Sequence, residues 1–197
     1  MNKKDTVVFD LDGTLLDTLE DLKNSVNYAM TQCGYPEHTL DEVRRYVGNG
    51  ILLLMQRAIP EGKNDPNFDK AFTLFKEHYG KHCNDTTKPY AGIMELLHTL
   101  KENNIKIAIV SNKADFAVKE LNAIYFKDLI LVAIGEKESE GIRKKPAPDT
   151  VIEALKQLGA LQKTPFISET PMWILKQQET AAWMKFYATG ASGVKNS

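Results

Sequence analysis

Apolar residues along this chain alternate between short continuous runs and stretches of helical spacing. The runs cover residues 7–9, 105–110 and 129–134, and each is too apolar to leave a strand face in water. Between and after them, apolar residues recur at helical spacing from Ile93 to Leu100 and from Val151 to Leu158. Strands that alternate with helices are typical of parallel βαβ units. We therefore predict an α/β fold with a Rossmann-like, doubly wound parallel sheet.

Residues 19 to about 83 interrupt this alternation, because their pattern is helical throughout. Thr18, with Asp21 three residues later, is expected to cap the first of these helices. The polar segment 84–92, which contains Pro and Gly, leads back to the sheet. The sequence thus predicts an α/β core made of residues 1–17 and 85–197, with a small helical cap of residues 18–84 inserted after the first strand.

Composition and charge narrow the possible partners and location. The 25 basic and 26 acidic residues nearly cancel, which gives no electrostatic footprint for nucleic acid or an anionic membrane. No apolar stretch approaches the ~20 residues of a membrane span, and no signal-peptide run follows the first lysines. Cys33 and Cys83 show no metal-ligand spacing and favour a reducing compartment. We expect a cytoplasmic monomer or homodimer without nucleic-acid or membrane partners.

The segment F-D-L-D-G-T-L-L-D-T, residues 9–18, places two carboxylates after a buried strand. Ligands collect at the carboxyl ends of strands in open α/β sheets. Asp10 can attack phosphorus there as a nucleophile, while Asp12 can protonate the leaving oxygen and then deprotonate water. Gly13 permits the turn between them, and a hard cation such as Mg²⁺ would offset their repulsion of phosphate. For the pair alone, an Asp-rich turn is an equal alternative.

The longer stretch V-V-F-D-L-D-G-T-L-L-D-T resembles the first motif of the haloacid dehalogenase-like hydrolases, and two more motifs follow in the family's order. The resemblance implies that Ser111, in I-V-S-N-K, binds phosphoryl oxygens with the Asn112 amide nearby. It implies that Lys145, in K-K-P-A-P-D, balances the charges of nucleophile and phosphate. Gly13 and Thr14 would join the phosphate site. Taken singly, Ser111 could be a helix cap and Lys145 a surface lysine, but the ordered set favours function.

Within this family, the helical insert resembles the small cap that closes over the site and selects the substrate. The segments R-R-Y-V-G-N-G-I-L-L-L-M-Q-R-A-I and 88–115 are most similar to phosphoglycolate phosphatases. The implied function is hydrolysis of a small phosphate monoester, first of all 2-phosphoglycolate, through an aspartyl-phosphate with Mg²⁺. Gly48, Asn49 and Gly50 would form a cap loop near the site, whereas Arg45 and Arg57 are expected to be surface charges. A β-phosphoglucomutase-like phosphotransferase is an alternative.

The resemblance stops near residue 162. The family then has a fourth motif, G-D-x-x-x-D, whose carboxylates complete the metal site, but this chain has no aspartate after Asp149. Glu169 is the candidate third metal ligand beside Asp10 and Asp12, and a surface position is its competing interpretation. When the sequence from Pro165 onward is back-translated and read from the third base of the Pro165 codon, suitable codon choices give V-Y-I-G-D-S-D-V-D-I. This peptide contains the family's fourth motif, so we predict a frameshift after about residue 163. The alternative function is an impaired or inactive family member.

Overall fold

The computed structural model describes residues 6–160 and the backbone of residues 174–175. The strands are β1 (Thr6–Phe9), β2 (Leu16–Asp17), β3 (Lys88–Pro89), β4 (Lys106–Ala114), β5 (Val132–Glu136) and β6 (Ile174–Leu175). The helices are α1 (Leu19–Gln32), α2 (Leu40–Tyr46), α3 (Ile51–Ala58), α4 (Phe68–His82), α5 (Ile93–Glu102), α6 (Asp115–Tyr125) and α7 (Asp149–Gln157). Two single 3₁₀ turns span Gly62–Asn64 and Glu138–Glu140.

The main sheet has the strand order β5-β4-β1-β6, and all of its described pairings are parallel. Side chains alternate across β1: Val7 and Phe9 pack with α5 and α6 on one face, and Val8 packs toward α7 on the other. Both faces of the sheet are therefore covered by helices. This arrangement confirms the predicted α/β class.

The third predicted strand was wrong at its beginning. Residues 129–131 do not belong to β5, because the backbone N–H groups of Leu129 and Ile130 both donate to the carbonyl of Phe126 in a turn after α6. Leu131 is 85% exposed, which a central strand position would not allow. The apolar run thus continues from a turn into the strand, and the sequence pattern does not mark where one ends.

The four helices α1–α4 form the helical insert between β2 and β3, and they share a buried cluster separate from the clusters of the sheet. β2 and β3 pair as a short antiparallel ribbon, so the chain enters and leaves the insert at neighbouring points. The insert is anchored to the segment after α4 by Asp21, which is 1% exposed. Its carboxylate accepts bonds from the backbone N–H and the hydroxyl of both Thr86 and Thr87, at 2.6–2.9 Å.

The predicted capping of α1 by side chains was wrong. Thr18 occupies the N-cap position but makes no side-chain cap bond, because its hydroxyl donates to Asp12 instead. Asp21 is likewise committed to Thr86 and Thr87. Tertiary bonds have therefore taken both side chains that the local pattern assigned to the helix end.

Candidate active site

Asp10 directly follows the last residue of β1, the strand that pairs with β4. Its Oδ1 accepts a bond from the N–H of Leu11 at 2.8 Å, and the Nζ of Lys145 lies 2.8 Å from the same oxygen. Lys145 also donates to the carbonyl of Val110 in β4 at 2.9 Å, so it links this strand to the residue that follows β1. No donor among the described residues reaches Asp10 Oδ2. One carboxylate oxygen is thus fixed by a cation and the other is available.

Asp12 is held by a second lysine that lies inside the protein. Asp12 Oδ1 accepts from the Thr18 hydroxyl at 2.8 Å and from Lys113 Nζ at 2.9 Å. The Lys113 side chain is only 2% exposed, and its ammonium also donates to the hydroxyl of Tyr79 on α4. Burial disfavours the charged form, but Asp12 and Tyr79 outweigh it and raise the pKa of Lys113. Burial raises the pKa of Tyr79, so its hydroxyl stays protonated.

Asn112 uses its side-chain amide to connect three segments. Its Oδ1 accepts from the N–H of Lys145 at 2.9 Å, while its Nδ2 donates to the carbonyls of Lys145 and Gly48, each at 3.2 Å. The neighbouring Ser111 is buried, and its Oγ accepts from the N–H of Lys113 at 3.2 Å. The hydroxyl proton of Ser111 is therefore not used by that bond.

These residues line one cavity of about 60 Å³ between the sheet and the helical insert. The sheet side contributes Asp10, Asp12, Ser111, Asn112, Lys113 and Lys145. The insert contributes Leu22, Val47, Gly48, Gly50, Ile51, Leu54 and Tyr79. The insert wall is thus mostly apolar or glycine, and the charges come from the sheet side.

Two glycines of the predicted cap loop, Gly48 and Gly50, line the cavity. The φ of Gly50 is +88°, a backbone conformation that favours glycine, and the backbone carbonyl of Asn112 lies 3.5 Å from the position a Cβ would take. Asn49 does not line the cavity; its Oδ1 accepts from Arg57 at 3.1 Å. Arg57 also donates to the carbonyl of Tyr46 at 2.7 Å, and so it supports this loop from outside.

Gly13 and Thr14 form the turn after the two aspartates and do not line the cavity. Gly13 has a φ of +72°, as the sharp turn requires, and its N–H donates to the carbonyl of Leu16 at 2.9 Å. The N–H of Thr14 donates to the carbonyl of Leu11 at 3.2 Å, and the residue is buried. Their binding to phosphate stays a prediction.

The sequence analysis did not single out Lys113 or Tyr79. Lys113 stands in the I-V-S-N-K motif at a buried position of β4, and a lysine there is a signal for a buried ion pair. Tyr79 follows Phe75 by one helical turn on the apolar face of α4, where its hydroxyl cannot be told from an ordinary core tyrosine.

The acidic residues fit a divalent cation only in part. Asp10 and Asp12 line the cavity together, and carboxylates are the ligands that Mg²⁺ prefers. Among residues 6–160, however, no group of three or more acidic, histidine or cysteine side chains could hold a metal ion. Glu169 lies outside the described residues, and so does the part of the chain to which the frameshift prediction applies, apart from the backbone of residues 174–175.

The chain belongs to the haloacid dehalogenase-like hydrolase family, whose sequence pattern matches residues 7–167. Within the same part of the chain that the structure describes, no helix has both the length and the apolar character needed to cross a membrane.

Proteins similar to this chain include phosphoglycolate phosphatases. A phosphoglycolate phosphatase of Aquifex aeolicus is 32% identical over 157 residues, which cover 78% of this chain and 70% of the relative. That of Thiobacillus denitrificans is 31% identical over 159 residues, covering 78% and 69%. A crystal structure from Lactobacillus delbrueckii subsp. bulgaricus, provisionally designated a phosphoglycolate phosphatase, has a TM-score of 0.74 and 34% identity over 80% of this chain and 74% of that one. The predicted family and enzyme class are confirmed.

Proposed function

We propose that this chain hydrolyses a small phosphate monoester, with 2-phosphoglycolate as the first candidate substrate. The observation that carries the proposal is the cavity in which Asp10, paired with Lys145 at 2.8 Å, lies together with Asp12 and Ser111. The relatives named phosphoglycolate phosphatases support the choice of substrate. A cytoplasmic location and a monomeric or homodimeric state stay predictions.

In this proposal Asp10 is the nucleophile and Asp12 the proton carrier. The free Oδ2 of Asp10 attacks phosphorus, the bond from phosphorus to the substrate oxygen breaks, and Asp12 gives its proton to that oxygen. Water then attacks the aspartyl-phosphate and returns a proton to Asp12. The bond between phosphorus and Asp10 breaks, so that inorganic phosphate leaves and both carboxyl groups return to their starting forms.

Lys145 and Ser111 would make the approach of phosphate possible. The Lys145 ammonium lies against the nucleophile and offsets the repulsion between a carboxylate and a phosphate dianion. Ser111 accepts a bond from Lys113 N–H, which leaves its own proton free for a phosphoryl oxygen. The side-chain amide of Asn112 is already bonded to Lys145 and Gly48. We therefore assign Asn112 to positioning the loops and only its backbone to phosphate.

We propose that Mg²⁺ is held by the carboxylate of Asp10 and the backbone carbonyl of Asp12, where it would add positive charge against the phosphate oxygens. Glu169 is the proposed third ligand. Because only two of the described carboxylates, those of Asp10 and Asp12, line the cavity, the affinity for Mg²⁺ is expected to be lower than in a site with a full set of protein ligands.

The insert is the proposed cap, and the shape of the cavity bears on the substrate. The cavity of about 60 Å³ has an insert wall of apolar side chains and the glycines of the V-G-N-G loop. The described part of that wall brings no basic side chain to the site, since Arg57 is bound to the loop from outside. A leaving group of few atoms suits such a space better than a sugar.

An impaired or inactive enzyme is the second candidate function. It is favoured by the small number of metal-ligating side chains in residues 6–160 and by the absence of aspartate after Asp149. In this case the chain would bind phosphate in the same cavity without completing turnover.

The test is Mg²⁺-dependent phosphate release from 2-phosphoglycolate and a panel of other small phosphomonoesters. Asp10→Asn removes the nucleophile, and Asp41→Asn makes the same change at an exposed ion pair of α2. We expect release by the wild type and by the Asp41 variant, and none by the Asp10 variant. Release that Asp10→Asn leaves intact would overturn the mechanism, whereas a folded but silent wild type would favour the second candidate.

The nucleotide sequence across codons 160–175 tests the frameshift separately. We expect the alternate frame to encode G-D-S-D after Gly159, and a chain restored to that frame to release phosphate faster than the present one. An alternate frame without this motif would refute the frameshift.

A further inference from the structure

We infer that Lys113 and Tyr79 are a positioning pair that holds Asp12 in place for proton transfer, and that Tyr79 makes this placement depend on the seating of the helical insert. The inference rests on the proposed function, in which Asp12 protonates the leaving group. Neither residue touches the reacting atoms in this scheme, since both act through the Asp12 carboxylate.

The bonds at Asp12 leave one of its oxygens fixed and the other free. Thr18 and Lys113 both donate to Oδ1, at 2.8 and 2.9 Å, and no described residue donates to Oδ2. Two donors that approach one oxygen from different segments restrict rotation of the carboxylate. Asp12 therefore presents a single, defined oxygen to the cavity that it lines.

Lys113 depends on Tyr79 because its ammonium is buried. A buried ammonium is costly unless its N–H groups find partners, and Lys113, with its side chain 2% exposed, finds them in Asp12 and in the Tyr79 hydroxyl. Without that hydroxyl, the ammonium would lack one of its two protein partners. Lys113 is then no longer held from the α4 side, so its position against Asp12 is less restricted.

Tyr79 moves with the insert and not with the sheet. Its ring stacks on Phe75 at a centroid distance of 5.4 Å, and both side chains belong to the buried cluster of α1–α4. A displacement of α4 would therefore carry the hydroxyl away from Lys113. Asp12 is then held in its working position only while the insert lies on the sheet.

Tyr79→Phe tests the pair because it removes the hydroxyl and keeps the stacked ring. A misplaced proton donor slows the hydrolysis of substrates whose leaving oxygen needs a proton, such as 2-phosphoglycolate. It has little effect on p-nitrophenyl phosphate, whose leaving group departs as an anion. We expect kcat/KM for 2-phosphoglycolate to fall about 10- to 100-fold and that for p-nitrophenyl phosphate to change far less. The loss is smaller than the ~10²- to 10⁴-fold that general acid–base catalysis typically contributes, because Asp12 itself remains.

Tyr125→Phe is the matched control. The Tyr125 hydroxyl also connects the sheet side to the end of the insert, through Asn84 and the Thr87 carbonyl at 2.6 Å, but it lies outside the cavity. We expect Tyr125→Phe to lower kcat/KM by the same factor for both substrates, or to leave both values unchanged. If Tyr79→Phe lowered kcat/KM equally for both substrates, the inference would be overturned, because a purely structural role of Tyr79 predicts equal losses.

A crystal structure of Tyr79→Phe gives a readout that needs no turnover and so stands apart from the proposed function. We expect Lys113 to leave hydrogen-bonding distance of Asp12 and the Asp12 side chain to adopt more than one rotamer. A variant in which both side chains keep their wild-type positions would overturn the inference even if the wild type proved inactive. Lys113→Met, purified and shown to be folded, should give the same displacement of Asp12.

Discussion

The side chain of Asn112 holds the backbone of Lys145 from both sides, accepting from its N–H at 2.9 Å and donating to its carbonyl at 3.2 Å. This amide therefore sets the position from which Lys145 reaches Asp10. A side chain that can donate and accept at once is needed, and among residues of this size only asparagine does both in fixed geometry.

Asn112→Asp is expected to lower kcat/KM about 10- to 100-fold, as for a catalytic group displaced by about an ångström. The new carboxylate oxygen would face the carbonyls of Lys145 and Gly48 instead of donating to them. Phosphate-release kinetics measure the effect. Asn103→Asp is the control, because its amide donates to the Thr99 carbonyl on an exposed helix end. Equal activity of the two variants would contradict the positioning role of Asn112.

Asp21→Asn is expected to lower the free energy of unfolding by about 1 to 3 kcal/mol. The amide replaces one accepting oxygen by a donor, which then faces an N–H and a hydroxyl of Thr86 or Thr87. Urea unfolding of the full chain gives the value. Glu20→Gln, at the exposed neighbour paired with Lys23, should change stability by less than about 0.5 kcal/mol. Similar losses in the two variants would argue against Asp21 as an anchor of the insert.

Gly135→Ala is expected to destabilise the protein by about 1 to 3 kcal/mol or more. An added Cβ would lie 2.4 Å from the Cα of Asp115, where only a backbone shift could make room. Gly80→Ala is the opposite case, because a Cβ there meets nothing within 4 Å and Gly80 lies in α4. Thermal unfolding should show a higher midpoint for the Gly80 variant, which gains up to about 1 kcal/mol. A higher unfolding midpoint in both variants would refute the close contact between Gly135 and Asp115.

The stability difference between wild type and Asp115→Asn is expected to depend on pH. Burial acts to raise the pKa of Asp115, but bonds from Lys119 and from the N–H of Gly135 outweigh it and lower the pKa. A pKa lowered by folding stabilises the protein above the unfolded value, near 3.9, and this stabilisation is lost as the pH falls through the folded value. Urea unfolding at pH 7 and pH 3 should show a larger difference at pH 7 than at pH 3. Parallel losses at both would rule out the ionised carboxylate as its source.

The sequence predicted those parts of the site that lie in continuous motifs. Asp10 directly follows β1 and Ser111 lies in the second half of the neighbouring strand β4, so the sheet topology brings these two together. Lys145 reaches them from the segment between β5 and α7. The I-V-S-N-K motif marks Lys113 as a candidate for a buried ion pair, but the pattern could not identify its partners, because Asp12 and Tyr79 lie far away in the chain. Thr18 and Asp21 show the same limit, since their local capping pattern was overridden by bonds to Asp12 and to Thr86 and Thr87.

The β2–β3 ribbon gives the chain a modular construction. Leu16 pairs with Pro89 and Asp17 with Lys88, so the two ends of the insert lie side by side at the core. Because the ribbon holds the two ends together, and the entropic cost of closing a loop rises only slowly with its length, an inserted segment of different length would add little to that cost. The sheet and its charged residues could therefore accept a foreign lid of different size at this junction, and with it a different substrate range.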